Sequence, residues 1–128
     1  MKGVVDVLWV GLGGFVGSSL RFVISGWVHR LPGTSSFPFG TLVVNVVGCL
    51  LLGFLGGWAE HRQVLTPPTR LFLMIGVLGG FTTFSTFAYE TLAFAHGADV
   101  GRALANIGMQ VVLGLGAAWL GFSVARGM

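Results

Sequence analysis

The sequence has 128 residues, a length that fits a single domain. Hydrophobic residues make up 54% of it and charged residues only 9%, whereas a typical soluble domain has about 25% charged residues. This composition argues against a water-facing surface and predicts a protein embedded in lipid. A net charge of +3, dispersed along the chain, does not indicate nucleic acid and favours anionic lipid headgroups as neighbours.

Four apolar stretches reach the length of about 20 residues that a transmembrane helix needs. They cover residues 4–28, 40–59, 71–95 and 103–125, and the connectors between them carry proline, glycine and charged residues. The pattern predicts an all-α membrane protein with one four-span domain over residues 1–128. It also predicts a multi-pass location in the cell membrane, which in a Gram-negative organism is the inner membrane.

The first span carries two glycines, Gly13 and Gly17, at the spacing of a helix contact face. Arg21 follows, a few residues inside the end of the span. Its side chain either reaches water as a topological anchor or forms a positively charged vestibule that concentrates anions. The sequence leaves both interpretations open.

The second span has Asn45 as its strongly polar residue. An amide in hydrocarbon needs hydrogen-bond partners. Asn45 therefore either holds the bundle together through an interhelical bond or faces a pore as a donor. The single cysteine, Cys49, lies in the same apolar run and is interpreted as a small buried hydrophobe.

The third span contains "GGFTTFSTF" at residues 79–87, where two glycines precede four hydroxyl residues and alternate with phenylalanines. The glycine pair predicts a break near the centre of this helix. Broken backbone at membrane depth is tolerated only where protein buries it or where it lines a polar cavity. Phe84 and Phe87 lie near one face, where the positive edges of their rings suit an anion.

Three further polar residues do not by themselves indicate a function. Glu90 follows one turn after Phe87, and Asn106 and Gln110 lie four apart in the fourth span. Either amide contributes to a polar track or merely bonds across helices. The sequence shows no pairing of a nucleophile with a base, which argues against an enzyme.

Lysine and arginine are almost evenly divided between the two sides of the membrane, so the positive-inside rule does not select an orientation. This balance allows insertion in both orientations and an antiparallel homodimer. Lys2, Arg62, Arg70 and Arg126 lie on the side of the termini, and Arg21, Arg30 and Arg102 lie at the other side.

Three segments together resemble the CrcB/Fluc family of fluoride channels. They are "GGFTTFSTF" with the following Glu90, "GTLVVNVVG" in the second span and "GGFVGSSLRF" in the first. The resemblance extends over essentially the whole chain. It implies a dual-topology antiparallel homodimer that exports fluoride passively and so reduces its cellular concentration and toxicity.

The resemblance also implies roles for particular residues. Arg21 matches a vestibular arginine. The fluoride pathway is expected to be formed by Phe84, Phe87, Asn45, Ser85 and Thr86.

A structural sodium ion, which is not itself transported, is the cofactor that the resemblance implies. Main-chain oxygens of Gly79 and Thr82 from both chains are expected to hold it at the dimer centre. The expected partners are fluoride, a second copy of the chain and membrane lipid, with no nucleic acid.

Three alternatives remain. A small multidrug exporter has a similar layout but relies on a glutamate inside the first span, where this chain has only Asp6 at the edge. A scaffold subunit of a larger complex would explain the glycine-rich faces but not the cluster of hydroxyls and phenylalanines. Pairing with a different homologue is the third.

Overall fold

Residues 2–128 contain three uninterrupted helices and one broken helix. The computed structural model describes residues 2–128, in which helices are the only regular elements. Helix α1 covers Lys2–His29 and helix α2 covers Phe39–Arg62. The last helix, α6, covers Val100–Gly127.

The third span is built from four consecutive elements. A short helix α3, Pro67–Arg70, leads into a π-helical segment, Leu71–Leu78. One turn of helix, α4 (Gly79–Phe81), follows, and after a break the span resumes as α5 (Phe84–His96). We refer to residues 67–81 as the first half of this span and to α5 as its second half.

Each of the four helical regions is long and apolar enough to cross a membrane. The prediction of an all-helical protein with four potential spans is therefore confirmed. Side-chain caps mark where two of these helical regions begin. Thr66 caps the third span by accepting a hydrogen bond from the Thr69 N–H, and Asp99 does the same for the Arg102 N–H at the start of α6, at 3.1 Å.

The break in the third span lies at Thr82 and Thr83, whose backbones are extended. The sequence predicts a break near the centre of the helix but attributes it to the glycine pair. Gly79, however, keeps ordinary helical angles (φ −64°, ψ −37°). Gly80 serves close packing, because a Cβ there would lie 2.8 Å from the carbonyl oxygen of Gly14.

The bundle consists of two packed pairs. Helix α1 packs against the first half of the third span, and α2 packs against α6. A Cβ on Gly17 would overlap the Val77 carbonyl oxygen, and one on Gly53 would overlap the Ala118 carbonyl oxygen. Glycine allows these pairs of helix backbones to approach closely, as small residues do in membrane helix packing. The glycine-rich faces of α1 and α2 are therefore contact faces within a single chain.

Adding a methyl group at Gly17 should therefore destabilise the fold. We expect Gly17→Ala to reduce the free energy of unfolding by roughly 1–3 kcal/mol, because the backbone of the third span must move away. The matched control is Gly11→Ala on the same helix, since a Cβ on Gly11 meets nothing within 4 Å. Unfolding of both variants in detergent would test this, and equal stability of the two would contradict the packing described here.

Candidate functional site

The break is held by one side chain from α2. The Oδ1 of Asn45 accepts a hydrogen bond from the Thr83 N–H at 2.7 Å, and its Nδ2 donates to the Thr83 carbonyl at 3.1 Å. The same Nδ2 donates to Oε1 of Gln110 at 3.0 Å. Asn45 thus replaces helical hydrogen bonds that the extended backbone at Thr83 gives up. We call this arrangement the Asn45 clamp.

Thr83 also starts the second half of the span. Its Oγ1 accepts from the Thr86 N–H at 3.2 Å, which caps α5. The same hydroxyl donates to Oγ1 of Thr86 at 2.9 Å and lies 3.3 Å from Oγ of Ser85. Three of the four hydroxyls, those of Thr83, Ser85 and Thr86, therefore form a connected network, whereas the Thr82 hydroxyl donates to the Leu78 carbonyl of its own helix at 3.0 Å.

Two carbonyl oxygens at the break lose their usual helical donors. In an unbroken helix the Thr83 N–H would donate to Gly79 and the Thr86 N–H to Thr82. Here these groups donate to the Asn45 side chain and to the Thr83 hydroxyl. Uncharged carbonyl oxygens freed at a broken membrane helix are suitable ligands for Na⁺, so the backbone fits the sodium ion implied by the family resemblance.

A first cavity, of about 270 Å³, adjoins the clamp. We call it the Phe cavity, because Phe84 and Phe87 line it, together with Asn45 and Gln110. The two rings meet edge to face, with centroids 5.5 Å apart and planes at 67°. Its remaining lining is Cys49, Leu52, Thr82, Thr83 and Val111.

A second cavity, of about 500 Å³, also reaches Thr83. We call it the Arg21 cavity. Arg21 lines it together with Thr83 and Thr86, and its other lining residues are Ser18, Phe22, Ser25, Gly26, His29, Thr41 and Val44. Because Thr83 lines both cavities, the clamp stands at the boundary between them.

Two further polar contacts join helices, and one of them involves Thr41, which lines the Arg21 cavity. Oγ1 of the buried Thr41 donates to Oε1 of Glu90 at 2.6 Å, and Oε2 of Glu90 is buried without a partner in residues 2–128. The partner of Glu90 in the described chain is thus the Thr41 hydroxyl. Asn106, which is 0% exposed, donates to Oγ1 of Thr91 at 2.9 Å.

The sequence-predicted residues divide between the two cavities. Asn45, Phe84 and Phe87 line the Phe cavity, whereas Arg21 and Thr86 line the Arg21 cavity. Ser85 is exposed and touches the site through Thr83.

Sequence reasoning missed the central place of Thr83. A partial signal was present, because threonine is one of the residues preferred at a helix N-cap. It also left Gln110 undecided between a polar track and a cross-helix bond. The structure shows the cross-helix bond, in which its Oε1 accepts from Asn45, and its Nε2 is buried without a partner in the described chain.

Comparison with known proteins assigns the chain to a family. Residues 8–122 match the family model described as "CrcB-like protein, Camphor Resistance (CrcB)". This chain is a member of the CrcB family. The membership implied by the three sequence segments is therefore confirmed.

Curated relatives of this CrcB chain are similar over nearly their full length. A protein of Methylobacillus flagellatus named "Fluoride-specific ion channel FluC" is 43% identical over 121 residues, which is 94% of each chain. One of the same name from Sulfurovum sp. is 48% identical over 94% of this chain and 93% of its own. "Fluoride-specific ion channel FluC 3" of Methanosarcina barkeri is 38% identical over 95% of this chain and 91% of its own.

Removal of the clamp should open the break. In Asn45→Leu the Thr83 N–H and carbonyl lose their partners, and burying an unsatisfied polar group costs about 1–3 kcal/mol. We expect faster amide hydrogen exchange at residues 82–84 in this variant. The matched control is Val47→Leu, two positions along α2 at a side chain that is 39% exposed. Unchanged exchange at 82–84 in Asn45→Leu would mean that the clamp does not hold the break.

Proposed function

We propose that this CrcB protein is a fluoride-specific ion channel that exports fluoride passively and so lowers its cellular concentration and toxicity. The observation that supports this most strongly is the junction at Thr83, where a cavity with a cationic side chain adjoins one lined by phenylalanines and amides. The names of the curated relatives describe a fluoride-specific ion channel, which supports the first part of this proposal. They describe a channel and not an enzyme, which agrees with the expectation from the sequence.

The chemistry of the two cavities suits a small, strongly hydrated anion. Such an ion must exchange its water for several donors at once, yet conduction needs sites that are favourable but weak. Hydroxyls, amides and ring edges are neutral donors of moderate strength. In the proposed path fluoride enters at Arg21, passes the hydroxyls of Ser85 and Thr86, and crosses the Phe cavity between Phe84, Phe87 and Asn45.

Gln110 joins this pathway in the proposal. Its carbonyl oxygen is taken by Asn45 at 3.0 Å, which fixes the orientation of the amide. Its Nε2 is buried and lacks an acceptor within residues 2–128. A buried donor without a partner is costly, and an anion in the Phe cavity, which Gln110 lines, would provide the acceptor.

The functional unit in this proposal is an antiparallel homodimer. Gly79 is exposed at the surface of a single chain, and the Phe84 side chain is 78% exposed. Lipid cannot satisfy broken backbone, so a second copy that covers this face would remove the cost. The near balance of basic residues across the membrane supports opposite orientations of the two copies.

A structural sodium ion at the dimer centre completes the proposal. The carbonyl oxygens of Gly79 and Thr82 from both chains would hold it, and its charge would neutralise the freed carbonyl dipoles. The ion is not transported. The proposed location is the cell membrane, which is the inner membrane if the organism is Gram-negative.

Fluoride release from liposomes tests the function directly. Purified protein in vesicles loaded with potassium fluoride should release fluoride to an electrode once an ionophore lets potassium move, with no proton gradient. A multidrug exporter or a scaffold subunit would release none beyond protein-free vesicles, and such a result would overturn the proposal.

The phenylalanine rings provide a residue-level prediction. Phe84→Ile or Phe87→Ile keeps much of the volume but removes the positive ring edge. Flux per assembled protein should fall by orders of magnitude, since about 1.4 kcal/mol added to a barrier already costs tenfold.

The matched control is Phe15→Ile, at a 72% exposed side chain of α1 outside both cavities. Its flux should stay near that of the unmodified protein. Size-exclusion profiles would establish assembly of each variant. Near-normal flux in well-assembled Phe84→Ile and Phe87→Ile variants would mean that the two rings only pack and do not guide the ion.

Topology provides a further prediction. A C-terminal reporter that is readable on either side of the membrane should give signal from both sides. Gln63→Lys with Val64→Lys, in the exposed connector before the third span, should bias insertion and lower the activity of a homodimer. The charge-neutral control is Val64→Gln. Signal from one side only in the unmodified protein would exclude dual topology.

The sodium ion is tested through dimer stability. Replacing Na⁺ with a large organic cation should weaken the dimer in detergent, because the larger ion does not fit between carbonyl oxygens. Thr82→Val should keep this sodium dependence, since the lost hydroxyl donates to the Leu78 carbonyl at 3.0 Å and the proposed ligand is the main chain. Dimer stability that is the same in both cations would contradict the sodium site.

A further inference from the structure

One face of α1 forms a polar stripe along the Arg21 cavity. Ser18, Arg21, Ser25 and His29 follow one another at spacings of three and four residues, and all four line the cavity. Such spacings place side chains on one side of a helix. The stripe therefore brings a second basic side chain, His29, to the same cavity as Arg21.

His29 lies at the end of α1, where the cavity meets the start of α2. A Cβ built on Gly40 would lie 2.9 Å from Cδ2 of His29, so the imidazole rests against the α2 backbone. The side chain is exposed. It also lines a neighbouring cavity of about 290 Å³, which it shares with Glu90 and the loop before α2. His29 therefore lies at the opening of the Arg21 cavity, which we call the cavity mouth, where it is accessible to water and protons.

The charged groups around His29 are few. Arg21 lies on its own helix in the same cavity, and Glu90 faces it from α5 across the neighbouring cavity. Arg30 follows it in sequence but lines a separate cavity, which it shares with Trp27. The start of α2 contributes only uncharged groups at Gly40 and Thr41. A change in the charge of His29 therefore changes the charge of the cavity mouth directly.

We propose that His29 is a second anion-attracting group of the Arg21 cavity, and that its protonation increases the rate at which fluoride enters. The proposal rests on fluoride conduction as described above and adds a residue and a form of regulation to it. Histidine is the side chain whose charge ordinarily changes near neutral pH. The protein would then conduct more fluoride in an acidic medium, with Arg21 providing a constant charge and His29 a variable one.

The expected size follows from electrostatics at a water-filled mouth. A unit charge a few ångströms from an anion in bulk water is worth enough to change its local concentration by roughly twofold to fivefold. Salt at about 1 M screens such an interaction over roughly 3 Å. The effect should therefore be roughly twofold at low ionic strength and should disappear at high ionic strength.

Fluoride current across a planar bilayer is the appropriate measurement, because neutral hydrogen fluoride crosses lipid without carrying current. The pH is the same in both chambers, and fluoride is kept well below saturation. The quantity is the ratio of unmodified to His29→Gln current at about pH 7.5 and about pH 5.5, a range that spans histidine titration. Each ratio is also measured with Glu90→Gln present in both proteins, because Glu90 interacts electrostatically with His29 and its own pH response would otherwise not cancel.

The ratio should be about one at the higher pH and roughly two at the lower pH. His29→Arg, with a permanent charge, should give the high current at both pH values. The matched control is His96→Gln, at an exposed histidine at the end of α5 that lines none of the cavities described above. The ratio of unmodified to His96→Gln current should stay near one at both pH values.

Two outcomes would overturn the proposal about His29 while leaving fluoride conduction intact. One is a ratio near one for His29→Gln at the lower pH. The other is a ratio that persists unchanged when an impermeant salt is added to about 1 M, since a structural effect would not be screened. If the unmodified protein carried no fluoride current at both pH values, that result would instead overturn the proposed function itself.

Discussion

A backbone that leaves the helix inside a membrane must find other partners for its polar groups, and the Asn45 clamp meets that constraint. The Thr83 N–H and carbonyl both bind the Asn45 side chain, and the Thr83 hydroxyl caps the helix that follows. Because unsatisfied polar groups in lipid cost several kcal/mol, the break depends on this one amide. The two cavities, the freed carbonyls of Gly79 and Thr82, and the position of Phe84 all follow from where the helix is interrupted.

The arrangement separates full charge from neutral donors. Arg21 lies in the larger cavity, whereas the Phe cavity is lined by amide, hydroxyl, thiol and hydrocarbon groups. A full charge deep in a narrow path would bind an anion too tightly for conduction, but at a wide mouth it only raises the local concentration. This division is consistent with a passive channel. Under the proposed function, Asn45 and Gln110 occupy positions where a lysine would bind the anion too tightly.

Much of the fold and part of the site could be predicted from the sequence. Apolar length identifies the four spans, and the crowding of hydroxyls at residues 82–86 marks the break. The sequence nevertheless points to the glycine pair as the cause of the break, because the side chain that holds it, Asn45, lies 38 residues from Thr83 and local pattern does not show tertiary contacts. For the same reason the bond from Thr41 to Glu90 and the orientation of Gln110 emerged only from the fold. The family resemblance, and not the composition, pointed to fluoride.

The reversal potential of the purified protein in a planar bilayer tests the central claim most directly. Opposing gradients of fluoride, chloride and sodium would be set independently across the membrane. A fluoride channel built on this site predicts a potential that follows the fluoride gradient and ignores the other two ions. A potential that follows chloride would contradict a narrow path lined by Phe84 and Phe87. One that follows sodium would contradict an anion path altogether.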